Sequence, residues 1–211
     1  MAGNPVTELL RGGDQADMLV LGSRGRGGFD RLLVGSTAMN VTSRAHCPVV
    51  LVRDGSTGRT PAHEVTVGVD PARDGDPVLD FAFDRAAERR SPLRAVQAWL
   101  PPVVWVPASV PTVPGPGPGA GSGPGRLDGI RELETRMLRD SVERVAKSHP
   151  DVPVDSLILP GSAGQVLVEE SAQAGLLVLG RPRHRAVSAL GSALHSAIHY
   201  SDCAVAVVPH L

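Results

Sequence analysis

Lysine is almost missing from this chain. A single one, Lys147, stands among 211 residues, so a phosphate loop of the G-x-x-x-x-G-K-[ST] type is excluded. Aromatic residues make up 3%, and no basic run exceeds a few residues. Base-stacking platforms and phosphate-backbone tracks are therefore not expected, and nucleic acid is not an expected partner. There are two cysteines, Cys47 and Cys203, with no CxxC pair, and the seven histidines are scattered, so no metal cluster is expected. No apolar run approaches membrane-spanning length, and the opening MAGNPVTELL lacks a basic region followed by an apolar one. Neither membrane nor signal peptide is expected, which makes the expected location cytoplasmic.

What is present reads as a globular α/β protein. Hydrophobic residues reach 42% and the formal net charge is -1, within the ordinary range for a chain of one or two domains. The most informative stretch runs from Met18 to Arg53. Met18 to Leu21 is apolar, too short for a helix, and bounded by Gly22, which suits a buried parallel strand. A loop rich in glycine and arginine follows. Gly35 and Ser36 open a helix ending near Arg44, and Pro48 to Val52 form a second apolar strand. Gly22, Gly25 and Gly35 let the backbone approach an anion, and a helix starting at Ser36 offers unpaired N–H groups and the positive end of its dipole. A tight strand-to-helix connection without ligand is the competing reading.

Self-comparison shows that this stretch occurs twice. Gly3 to Leu10 aligns with Gly161 to Val168, Met18–Gly22 with Leu176–Gly180, Gly35-Ser36 with Gly191-Ser192, and Cys47 with Cys203. The repeat is the closing half of a fold. Asn4 and Pro5 read as an N-cap and first helical residue for a helix to about Arg11. Residues 1–53 therefore hold two strands and two helices, and 54–63 form a polar linker.

From Glu64 the pattern runs complete. Val65 to Val69 is a strand ending at Asp70; Asp76-Pro77 caps a helix with its stripe at Val78, Phe81, Ala82 and Ala86; Leu93 to Trp99 is a strand. The tract 101–125, dense in proline and glycine, suits an extended loop. Leu127, Ile130, Leu133, Leu138, Val142 and Val145 mark the next helix. Val154 to Leu159 is a strand, and Ser162 with Gln165 forms a capping box. Strand Leu176–Leu179, helix Ser192–Tyr200 and strand Ala204–Val208 complete the domain 64–211. Alternating strands and helices imply an open parallel five-stranded sheet with helices on both faces, preceded by a partial copy of the same fold.

Gly22-x2-Gly25-x9-Gly35-Ser36, closing on Cys47-Pro48-Val49-Val50, resembles the nucleotide-binding motif of the universal stress protein family. The resemblance implies an adenine nucleotide alpha hydrolase-like, Rossmann-like fold, and ATP, alone or with Mg, as cofactor. It implies that the glycines and Ser36 hold phosphates and ribose, that Asp70 contacts adenine, and that Val96 on the second strand offers backbone contacts to the base. As Asp70-Pro71 is also a turn signal, a turn carboxylate competes for Asp70. In the second copy Gly180, Gly191 and Ser192 match the motif, but Arg183 replaces its second glycine and the loop is two residues shorter; Arg181, Arg183 and Arg185 could attract an anion there through side chains, with an exposed basic loop as the competing reading. Each half thus keeps what the other lacks.

The resemblance implies a non-enzymatic nucleotide-binding regulator of stress response. No nucleotidyl-transfer loop follows the first strand, where the sequence is DPARDGDP, and no serine elbow or acid–base pair presents itself. A nucleotide-free dimerisation or scaffold module of the same fold is the alternative. Family dimers pair through their last strands, so Pro48–Val52 and Ala204–Val208 are expected to pair antiparallel, within one chain or by self-association, leaving both cysteines as free thiols.

Overall fold

The computed structural model describes residues 3–23, 34–53, 64–70, 75–100, 124–182 and 190–210, the side chains of 124–127 excepted. Linker 54–63, most of the tract 101–125, Gly25, and Arg183 with its neighbours lie outside them. The described elements run α1 (Pro5–Gly13), β1 (Leu19–Gly22), α2 (Ser36–Arg44), β2 (Val49–Val52), β3 (Val65–Gly68), α3 (Asp76–Arg89), β4 (Leu93–Trp99), α4 (Pro124–Ala146), β5 (Val154–Pro160), α5 (Ala163–Ser171), β6 (Leu176–Pro182), α6 (Ser192–Tyr200) and β7 (Ala204–His210).

The strands form one seven-stranded sheet in the order β1-β2-β7-β6-β3-β4-β5. Every neighbouring pair is parallel except β2 and β7. The five-stranded parallel sheet expected from the sequence is thus five strands of a larger mixed sheet. Its edge strand β7 is an unpaired row of backbone groups until β2 covers it.

That junction is nearly two-fold symmetric. Val49 faces Val207, Val50 faces Ala206 and Leu51 faces Val205. Counting from the equivalent cysteines, Val50 and Ala206 occupy matching places, so a pseudo-two-fold axis passes between them. Copy-to-copy backbone agreement extends to the helix ends. Gly35 (φ -70, ψ 148) and Gly191 (φ -54, ψ 155) precede α2 and α6, and Ala45 (φ -59, ψ 145) and Ser201 (φ -63, ψ 146) follow them.

Two cores sandwich the sheet. On one face α3 and α4 pack Leu79, Phe83, Leu138 and Val142 onto Val65, Val67, Leu176, Val178 and Ala206. On the other, α2, α5 and α6 contribute Val41, Leu167 and Ile198 over Val49, Leu51, Leu177, Leu179, Val205 and Val207. Alternate residues of β6 and β7 enter opposite cores, which is why those strands read as unbroken apolar runs. Among the described residues no helix covers β1 and β2 on the α3 side, and there Val20 is 58% and Val52 42% exposed.

Local signals explain most helix ends. Asn4 Oδ1 accepts from the Val6 N–H at 2.9 Å, with Pro5 following. The Ser162 side chain accepts from the Gln165 N–H at 3.4 Å, but the Gln165 amide donates to Glu169, so only half of the capping box forms. Asp76 opens α3 without capping it; Gly75 is the N-cap, and the Asp76 carboxylate accepts instead from Arg144 of α4. The core stripe of α3 is Val78, Leu79, Ala82, Phe83 and Ala86, with Phe81 only partly buried. Leu133, expected on the buried stripe of α4, is 58% exposed.

Both cysteines are buried free thiols. Register sets Cys47 beside the far end of β7, roughly 20 Å along the strand from Cys203 at about 3.3 Å per residue, far beyond disulfide reach. Burial pushes the Cys203 thiol up to about 11 and raises that of Cys47. Thiolate is therefore scarce at pH 8. A thiol reagent at that pH should label native protein at least about tenfold more slowly than unfolded protein, which should yield two thiols and no bridge by non-reducing mass analysis.

Candidate functional site

In an open parallel sheet a crevice forms where successive connections leave in opposite directions, at the carboxyl ends of the strands. Here that point lies at β3, whose neighbours are β6 and β4. A cavity of about 390 Å³ opens there. Val67 to Asp70 line it from β3, Val96 to Ala98 from β4, Leu179 to Pro182 from β6, and His210 from β7.

Helix starts complete the wall. Gly75 leads into α3, Ala163 opens α5, and Gly191 leads into α6. Each brings first-turn N–H groups and the positive end of a helix dipole, and three of them converge on one cavity. Such convergence favours an anionic group within a mainly apolar pocket.

Of the residues singled out from sequence, Asp70, Val96, Gly180 and Gly191 all line this cavity, and Ser192 is the first residue of α6. Asp70 is exposed beyond the end of β3. The Val69 N–H donates to the Val96 carbonyl at 2.9 Å, so one lone pair of that carbonyl is used by the sheet.

Gly22, Gly35 and Ser36 do not join them. Because β2 runs antiparallel to β7, the carboxyl ends of β1 and β2 point to the opposite end of the sheet. There Gly22 ends β1, Gly35 is the N-cap of α2 and Ser36 its first residue. The Gly35 N–H donates to the Ser23 carbonyl at 2.7 Å and the Ser23 N–H to the Val52 carbonyl at 2.8 Å. The two groups of candidate residues are thus two places, and no single ligand bridges them.

Gln97, Arg181 and His210 also line the cavity, and of the three only Arg181 was considered from sequence, as a side chain that could attract an anion. Gln97 is 7% exposed; its amide nitrogen donates to Glu134 at 2.6 Å, and its carbonyl oxygen has no protein partner among the described residues. Arg181 donates from its guanidinium to the Ala45 carbonyl at the end of α2, a helix terminus that favours a cation. His210 lies two residues beyond where the apolar pattern of β7 stops. Gln97 was readable as a polar residue at an inward strand position and Arg181 as one of the arginines of the second loop; His210 carried no local signal.

A family model described as the universal stress protein family matches residues 3–53 and 62–209. The chain belongs to that family. A universal stress protein of Mycobacterium tuberculosis (strain H37Rv) is 30% identical over 207 residues, which cover 96% of this chain and 65% of that protein. The chain thus spans about two thirds of the length of this curated relative. The crystal structure of a universal stress protein from Archaeoglobus fulgidus superposes with a TM-score of 0.63 and 20% identity, covering 99% of this chain and 66% of that one; this shows the family fold. A universal stress protein solved in complex with cAMP overlaps 71% of this chain and 98% of its own, with 18% identity and a TM-score of 0.48. Among the described residues no helix is long and apolar enough to cross a membrane.

Proposed function

We propose that this chain is a non-enzymatic regulator of stress response that binds an adenine nucleotide, ATP alone or with Mg, in the cytoplasm. The observation that carries the reading is the cavity where Asp70, Val96, Gly180 and Gly191 meet under three helix starts. In this reading Asp70 and the Val96 backbone hold the base, and Gly180, Gly191 and Ser192 face the phosphates. Residues 1–53 are the closing half of a first domain, 64–211 are a second, complete one, and Gly22, Gly25, Gly35 and Ser36 are a separate phosphate cradle. The element-by-element match of 5–52 with 163–210 supports that division.

One observation favours a nucleotide-free dimerisation or scaffold module instead. Arg181, which lines the cavity, also ties it to the first segment by donating to the Ala45 carbonyl at the end of α2, as a residue serving the junction would.

Calorimetric titration with Mg-ATP separates the two. Affinity is expected to be micromolar or weaker, about -8 kcal/mol or less favourable. Asp70→Ala should weaken it by the loss of one hydrogen bond, about 0.5–1.5 kcal/mol. Gly25→Arg should leave that binding unchanged, because the described residues of its motif, Gly22, Gly35 and Ser36, stand at the other end of the sheet. No heat and no thermal stabilisation at millimolar ATP would remove the nucleotide reading and leave the dimerisation or scaffold module.

A further inference from the structure

His210 ends β7 in register with Pro182 of β6. It is 7% exposed and lines the cavity. Its ring lies directly over Gly180. A methyl group on Gly180 would sit 2.9 Å from both Cδ2 and Nε2 of the imidazole and 3.0 Å from Val78 Cγ2, inside van der Waals contact. Backbone conformation does not require glycine there: among the described glycines only Gly161 has a positive φ, at 139°. Space requires it.

We propose that Gly180 is kept small by His210, and that the imidazole of His210, rather than the Gly180 backbone, is the surface a ligand meets at the β6–β7 side of the cavity. The inference rests on the nucleotide reading above and revises one contact of it: with the His210 ring over Gly180, only Gly191 and Ser192 are left to face the phosphates. An imidazole presents a flat π face and two ring nitrogens. Set beside the apolar side chain of Val78, it suits the nucleoside part of the ligand, a purine ring or a ribose hydroxyl, rather than the charged tail. His210 is then a specificity-determining residue, and a glycine of the family motif serves a neighbouring side chain.

A double-mutant cycle tests this, using the parent, Gly180→Ala, His210→Ala and the double variant. Adenosine and Mg-ATP are the calorimetric probes, and melting temperature is the second readout. Gly180→Ala alone should lower the melting temperature by about 3–8 °C through overpacking and weaken both ligands at least fivefold. In the His210→Ala background the same substitution should cost less than half of that in melting temperature and nothing further in binding. His210→Ala alone should weaken adenosine and ATP by the same factor, about five- to tenfold, as a contact to the part they share. If Gly180→Ala is equally harmful in both backgrounds, or if His210→Ala binds both ligands like the parent, the inference is wrong while the nucleotide reading stands. If the parent binds neither ligand, both fall.

Discussion

Leu51→Asp should unfold far more than the strand that carries it. Leu51 is 2% exposed and faces Val205 across the antiparallel junction. It shares a core with Leu177, Leu179, Ile198 and Val207 of the other segment. Removing its side chain costs about 2–5 kcal/mol for the cavity alone. An unpartnered buried carboxylate adds several kcal/mol more, against a total stability of about 5–15 kcal/mol for an ordinary domain. Since both segments fill that core, the loss should appear as one cooperative transition lowered by more than about 10 °C, or as no transition at all. Val52→Asp is the control. Its side chain is 42% exposed on the uncovered face, and the change should cost less than about 1 kcal/mol. The decisive observation is amide exchange in Leu51→Asp: protection lost in β1 and β2 while β3 to β6 and the melting temperature stay as in the parent would show that the segments do not fold together.

Most of the fold was legible because its signals are local. Asn4-Pro5, Ser162 and the glycines before α2 and α6 mark helix starts, and the double apolar run of β6 and β7 marks strands buried on both faces. The antiparallel pairing of β2 with β7 was expected from the family resemblance, in which last strands pair, and it covers two equivalent edges. What remained hidden depends on tertiary context. Asp76 was read as a cap because Asp-Pro is a capping signal, but Arg144, 68 residues away, claims its carboxylate. Leu133 follows Ile130 at helical spacing and was read into the stripe of α4, but at about 100° per residue it lies on the opposite side of the helix from Val142 and faces solvent. The site was half legible for a related reason. Asp70, Gly180 and Gly191 end strands or begin helices, so topology alone brings them together. Strand direction, fixed by the junction, sends Gly22, Gly35 and Ser36 away. His210 and Arg181 act through neighbours that no local pattern names.

The other large effect belongs to Phe83. Its ring is fully buried in the α3 core and stacks on His149 with centroids 5.2 Å apart and planes 15° apart. Phe83→Ala should cost about 3–5 kcal/mol. In urea, with a slope of about 2 kcal/mol/M for a chain of this size, the midpoint should fall by roughly 2 M at unchanged slope. Phe83→Leu keeps most of the volume and should cost less than about 1.5 kcal/mol. The same helix brings Gly75, Val78 and Leu79 to the cavity wall, one turn and more ahead of Phe83. A helix that settles into the space left by the ring carries those residues with it. Weaker ATP binding should therefore accompany the alanine variant, measured below its unfolding midpoint, and not the leucine one. If the alanine variant loses its stability but binds ATP like the parent, the cavity is held by the strands alone, and α3 contributes only its place in the core.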